Sequence, residues 1–126
     1  MIIYCCQDLI FATKIRSTAE ALGVNSRPVR NPQMLRQRLD CVDDGKANDP
    51  VNALMVDLDT GEDGLNLIDL AKAANANISV VAFGSHVKSD MLQNARDRGA
   101  DFVMPRSAFT ASLPQLLERF SSGPVA

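Results

Sequence analysis

Two carboxylates close an unbroken apolar run: Ala53-Leu54-Met55-Val56 leads into Asp57, Leu58 and Asp59, followed by a Gly-containing turn through Asp63-Gly64. Such a run reads as a strand over Ala53 to Leu58, covered on both faces, that delivers acid groups to the edge of a sheet. In an open α/β sheet, ligands and chemistry sit beyond the carboxyl ends of the strands, which puts the candidate site at Asp57 and Asp59. A period of two places both on one strand face, with a solvated turn as the plainer role for Asp59. Other reactive side chains are few. Cys5, Cys6 and Cys41 lack Cys-x-x-Cys spacing, and with His86 as the single imidazole there is no metal-site signature, so reduced and mostly buried thiols are expected. Cys5 and Cys6 are neighbours and must point to opposite faces of a strand. His86 has no second group at a spacing that suggests a catalytic pair and reads as a surface residue.

The elements that position these groups follow from the apolar pattern. Met1 to Cys6 is a first strand, and Asp8 caps a helix whose Phe11, Ile15, Thr18, Ala19 and Leu22 share one face before Gly23 stops it. Val24 to Val29 is a second strand, and Pro28 within it argues for the margin of a sheet, because proline cannot donate to a ladder. Asn31-Pro32 starts a helix carrying Leu35, Leu39 and Val42, and Asp43 to Pro50 reads as a loop. A third helix carries Leu65, Ile68, Ala71 and Ala74 or Asn75. Ile78 to Phe83 is a fourth strand, with Gly84 and Ser85 turning into a helix with Val87, Met91, Leu92 and Ala95. Ala100 to Met104 is a fifth strand. The last helix takes its cap from Ser107, Thr110 or Ser112, admits Pro114 near its first turn, and buries Leu113, Leu116, Leu117 and Phe120.

Five strands alternating with five helices predict a three-layer α/β/α flavodoxin-like fold with a parallel sheet of order 2-1-3-4-5. At 126 residues the chain is the size of one domain, read as residues 1–120 with 121–126 as a tail or linker stub. A composition 46% apolar and 22% charged is that of a globular protein, and a formal charge of -2 gives no footprint for nucleic acid. No apolar run approaches the roughly 20 residues a membrane span needs, and Met1-Ile2-Ile3-Tyr4 is not the start of a signal peptide, so a cytoplasmic protein without membrane partners is expected. Arg27, Arg30, Arg36 and Arg38 cluster around the second strand and helix; a solvated face is the plain reading and an acidic partner the sharper one.

Asp57 at the end of strand three with Asp63-Gly64 after it, the Leu22-Gly23 stop of helix one, and Arg98-Gly99-Ala100-Asp101 before strand five together resemble a CheY-like response-regulator receiver domain of bacterial two-component signalling. The resemblance covers almost the whole chain. It implies that Asp57 is the phosphoacceptor for a histidine kinase, with Mg²⁺ between the carboxylate and the phosphoryl group. It also marks departures. The family's acid pair after strand one falls on Cys6 and Gln7, with Asp8 next to them, and its strand-four hydroxyl falls on Gly84, with Ser85 one residue on. The strand-five lysine is replaced by Arg106, a cation of different shape, and the strand-five switch aromatic by Val103, one residue from Phe102.

Phosphoryl transfer works by positioning and charge neutralisation, so these losses imply a degenerate pseudo-receiver. That reading expects no enzymatic activity, no cofactor and no metal, with Mg²⁺ admitted only if the site still functions. Output then passes through a protein partner, a histidine kinase or a second copy, on the face of helix four, strand five and helix five. Three alternatives for Asp57 stay open: phosphoacceptor, metal ligand, or a carboxylate held by loop backbone and Arg106. An atypical receiver phosphorylated on Asp57, with Asp8 replacing the acid pair, is the second reading. A flavodoxin-like small-molecule binder is the third, opposed by the loop Cys6-Gln7-Asp8-Leu9-Ile10, the absence of Trp, and a lone Tyr4 within a strand.

Overall fold

Along the first strand, β1 (Ile2–Cys5), alternate residues feed opposite faces: Ile3 and Cys5 join one hydrophobic core, Ile2 and Tyr4 another. The same alternation runs through β3 (Ala53–Asp57) and β4 (Ser79–Gly84), where Leu54, Val56, Val80 and Ala82 point one way and Ala53, Met55, Val81 and Phe83 the other. Both faces of the central strands are therefore apolar, as their unbroken hydrophobic runs require. The computed structural model describes residues 1–40, 42–43, 46–47, 50–85 and 89–121. With β2 (Ser26–Pro28) and β5 (Phe102–Pro105), the five main strands form one parallel sheet of order β2-β1-β3-β4-β5. Helices α1 (Leu9–Ala21) and α5 (Arg106–Ser121) cover one face, and α2 (Pro32–Leu39), α3 (Glu62–Ala74) and α4 (Ser89–Asp97) the other. This is the expected flavodoxin-like architecture, with Pro28 closing the marginal strand.

Several expectations change in detail. β3 stops at Asp57, and Leu58–Thr60 form a 3₁₀ turn, so Asp59 lies in a turn and not on the strand face. The predicted loop 43–50 contains a short antiparallel ladder, Val42–Asp43 against Lys46–Ala47. α5 begins at Arg106, directly after β5, so none of Ser107, Thr110 and Ser112 caps it. Pro114 accordingly sits in mid-helix, where it offers no N–H to the Thr110 carbonyl one turn back; the Thr110 hydroxyl separately donates to the Arg106 carbonyl at 2.9 Å. Leu22 is the exposed C-cap of α1 rather than a core residue. His86 and Val87 lie outside the described residues, as do residues 122–126 of the expected tail, while α5 runs one residue past the expected boundary at 120.

Two of the landmark motifs have structural reasons. Gly64 packs so closely on the end of β3 that a Cβ there would approach Val56 Cγ1 to 2.9 Å, which only glycine avoids. Asp101 accepts the Val80 N–H at 2.8 Å and pairs with Lys72 at 2.6 Å, tying the start of β5 to β4 and α3. Among the described residues no helix is long and apolar enough to cross a membrane.

Candidate functional site

The carboxyl ends of β1, β3 and β5 meet around one buried carboxylate. Asp57 is 1% exposed, and each of its oxygens faces a neighbouring group. Oδ1 accepts the backbone N–H of Asp59 at 3.0 Å, an Asx-type cap on the 3₁₀ turn, and the Arg106 guanidinium at 2.9 Å. Oδ2 faces the Cys6 thiol at 3.5 Å, whose single proton also has the Asp8 carbonyl within reach at 3.4 Å. The same Arg106 nitrogen reaches Asp59 Oδ2 at 2.6 Å, so one guanidinium bridges both candidate carboxylates. Arg106 is placed there because α5 starts without a loop after Pro105, and its guanidinium rests over the Phe11 ring at 5.3 Å. The Thr60 hydroxyl donates to the Asp57 carbonyl at 2.6 Å and fixes the turn.

The residues after β1 do not join this cluster as acids. Asp8 is the N-cap of α1, its Oδ1 accepting from Ile10 N at 2.9 Å and Phe11 N at 3.4 Å. Gln7 is exposed and lines, with Asp8, Asp57, Asp59 and Arg106, a shallow cleft of about 220 Å³. Gly84 ends β4 beside Leu58, and a Cβ there would come within 3.2 Å of Leu58 Cβ, so a hydroxyl-bearing side chain at this position requires Leu58 to give way. Ser85 follows it, half-buried, and Val103 and Phe102 are half-buried on β5. Among the described residues no three of His, Cys, Asp and Glu come together as a metal-binding group.

The thiol next to Asp57 is no nucleophile. Burial pushes the Cys6 pKa up from an ordinary 9.0 to about 12, the Asp57 carboxylate pushes in the same direction, and the opposing pull of Arg106 is smaller. The proximity of Arg106 therefore does not activate Cys6 for redox chemistry. Burial first, and then Asp57, also raises the Cys5 pKa against a lowering hydrogen bond from Thr60. Because folding raises the Cys6 pKa, its contribution to stability is complete below pH 9.0 and is lost as the pH rises toward 12. Urea midpoints are expected to fall across that window and to fall less steeply in Cys6→Ser, with Cys5 and Tyr4, both shifted upward, supplying the remaining slope.

The arginine cluster separates into different roles. Arg38 is not on a solvated face: it is 4% exposed and donates through Nε and Nη2 to the Pro28 carbonyl at 3.3 and 3.1 Å. Arg27 and Arg30 line a different cavity, between β1, α1 and β2, and Arg36 lines a third on α2. Two large apolar side chains at the start of α1, Leu9 and Ile10, are 75% and 84% exposed beside the cleft. Periodicity signals neither, since Asp8 marks the cap but not which way the first turn faces.

Solved structures of receiver domains match this arrangement of strands and helices over nearly its whole length. A response regulator from Thermotoga maritima is 19% identical, covers 97% of this chain and 97% of its own, and superposes with a TM-score of 0.73. For the receiver domain of NtrX from Brucella abortus the values are 17%, 97%, 98% and 0.74. The chain has the CheY-like receiver fold. The signal receiver domain of a DNA-binding response regulator from Colwellia psychrerythraea 34H has the same fold at 24% identity, 93% and 97% coverage and a TM-score of 0.68. No protein-family model matches the chain, and no curated protein matches it. Within the receiver fold, Asp57 occupies the end of the central strand and Arg106 the first position of α5, directly after the fifth strand, 49 residues away in sequence and in direct contact.

Proposed function

We propose that this chain is a receiver-type signalling domain that regulates a protein partner without being phosphorylated, and that it has no catalytic activity of its own. The observation that carries the reading is the Arg106 guanidinium, which bridges Asp57 and Asp59 and already neutralises the carboxylate that phosphoryl transfer needs. A hard dication seeks several carboxylate oxygens. Here Asp57 Oδ1 is taken by Arg106 and the Asp59 N–H, Oδ2 faces a protonated Cys6 thiol, and Asp8 is turned to its own helix. This donor set suits a guanidinium and does not fit Mg²⁺, so no step is assigned to a metal.

The surface that serves the partner is the edge of β5 with α4 and α5. β5 ends the sheet, and its Phe102, Val103, Met104 and Pro105 are all half-buried, leaving apolar area on that side. Arg119 lies over the Phe102 ring at 4.9 Å and adds a cation at the same edge. A histidine kinase or a second copy of the chain are the partners this reading favours, in a cytoplasmic setting. Incubation with acetyl phosphate and Mg²⁺ followed by intact mass measurement tests it. The protein is expected to stay unmodified, whereas an acid-stable, hydroxylamine-labile adduct mapped to Asp57 would make it an atypical phosphoacceptor.

A further inference from the structure

On the other side of β1 from the Asp57–Arg106 pair lies a cavity of about 310 Å³, lined by Tyr4 and Cys6 of the β1 segment, by the first turns of α1 and by the 26–30 segment. Its size falls at the lower end of the roughly 300–1,000 Å³ typical of small-molecule sites. Three arginines line it, Arg16 from α1 and Arg27 and Arg30 from the β2 segment, and no carboxylate does. Like charges gathered in one concavity repel one another and focus a positive potential into it. Arg16 and Arg30 make no hydrogen bond or ion pair among the described residues, and no carboxylate lines the cavity itself to offset their charge.

The wall of the cavity carries a second signal. Tyr4 is only 5% exposed, and among the described residues its hydroxyl has no hydrogen-bond partner. Buried polar groups are nearly always paired with protein or water, so a phenol lining this cavity without a protein partner is a donor that a ligand atom can take. Burial raises the Tyr4 pKa while Arg16, Arg30 and Arg27 pull it down, which puts all three guanidinium groups within electrostatic reach of this one ring. Apart from the Cys6 thiol, the remaining lining is apolar or hydroxylic, with Leu9, Ala12 and Pro28 beside Thr13 and Ser26.

We propose that this cavity binds a small phosphomonoester, its phosphate held by Arg16, Arg27 and Arg30 and its organic part resting on Leu9 and Pro28. Arginine's planar fork matches phosphate oxygens in a bidentate manner, and the Tyr4 hydroxyl supplies a further donor. The site is independent of the Asp57 cluster: it uses neither Asp57, Asp59 nor Arg106, and it stands whether or not Asp57 accepts a phosphoryl group. It also gives the flavodoxin-like fold a ligand place at its β1–β2 edge.

The test is an amide NMR titration of the full 126-residue chain with ribose 5-phosphate, inorganic phosphate and ribose, on the wild type and on Arg16→Gln/Arg30→Gln. Both substituted residues are exposed, so the fold is retained, and the amide spectrum of the variant verifies that directly. The expected result is saturable shifts at Tyr4, Thr13, Arg16 and Arg27 with ribose 5-phosphate, weakened roughly tenfold or more in the double variant. Inorganic phosphate binds more weakly, and ribose not at all. Absence of saturation, equal binding by the variant, or inorganic phosphate binding as tightly as the sugar phosphate would each overturn the proposal.

Discussion

Replacing Arg106 by methionine is expected to lower the stability of the fold by about 2–3 kcal/mol, a fall in Tm of roughly 6–12 °C for a domain of this size. Asp57 is almost fully enclosed, and without Arg106 its carboxylate keeps only the Asp59 N–H and the Cys6 thiol as donors. Removing one partner of a fully buried pair costs about 3–5 kcal/mol, and the lower figure here allows for the 32% exposure of the Arg106 side chain. The second variant separates charge from packing. In Arg106→Met/Asp57→Asn no buried charge is left without a partner, so the double variant is expected to recover most of the loss. Thermal unfolding of Arg106→Met, Asp57→Asn, the double variant and the wild type closes the cycle, and equal losses in Arg106→Met and the double variant would mean that the pair contributes only its packing.

Phe109→Ala is expected to cost more, about 3–5 kcal/mol, because it opens a cavity where α5 meets the sheet. Phe109 and Phe83 are both fully buried and stack with ring centroids 3.9 Å apart and planes 10° from parallel. Phe11 of α1 closes the group at 5.3 Å from Phe83 and 5.9 Å from Phe109. Three elements far apart in the chain thus share one aromatic cluster, and each such pair adds about 0.5–1.5 kcal/mol beyond the area it buries. Arg106 lies over the Phe11 ring, so the cluster is also the floor of the candidate site. Urea unfolding monitored by circular dichroism measures the loss, and a cost under about 1 kcal/mol would show that Phe11 and Phe83 collapse into the space.

The fold was legible because its signals are local or repeat at short period. Apolar runs at 53–56 and 80–83 mark doubly covered strands, Pro28 marks the margin, and Asp8 and Asn31 mark helix starts that the structure contains. The site was legible only in part. Asp57 could be placed from the end of its strand, and the resemblance to a receiver domain implied Arg106 at the same edge. That Arg106 also takes Asp59 depends on a 3₁₀ turn that a period-two pattern does not contain.

Burial of Arg38 was invisible for a similar reason. Its role is to satisfy the Pro28 carbonyl ten residues earlier, a long-range need that composition does not express. The early start of α5 hid Phe109 from the expected core: a helix assumed to begin at a Ser or Thr cap leaves residue 109 at its threshold, while one beginning at Arg106 turns it inward. The basic cavity was hidden in the same way, since Arg16 belongs to α1 and only the parallel pairing of β1 with β2 brings it beside Arg27 and Arg30.

The central claim is that Arg106 holds Asp57 in place of a metal and a phosphoryl group. It is tested most directly by following the amide spectrum of the wild type and of Asp57→Ala during addition of Mg²⁺ and then beryllofluoride. The account predicts no saturable change around Asp57, Ser85 and Arg106 at millimolar Mg²⁺, with or without beryllofluoride. Saturable shifts clustered at those three residues, and lost in Asp57→Ala, would contradict it and make this domain a working phosphoacceptor.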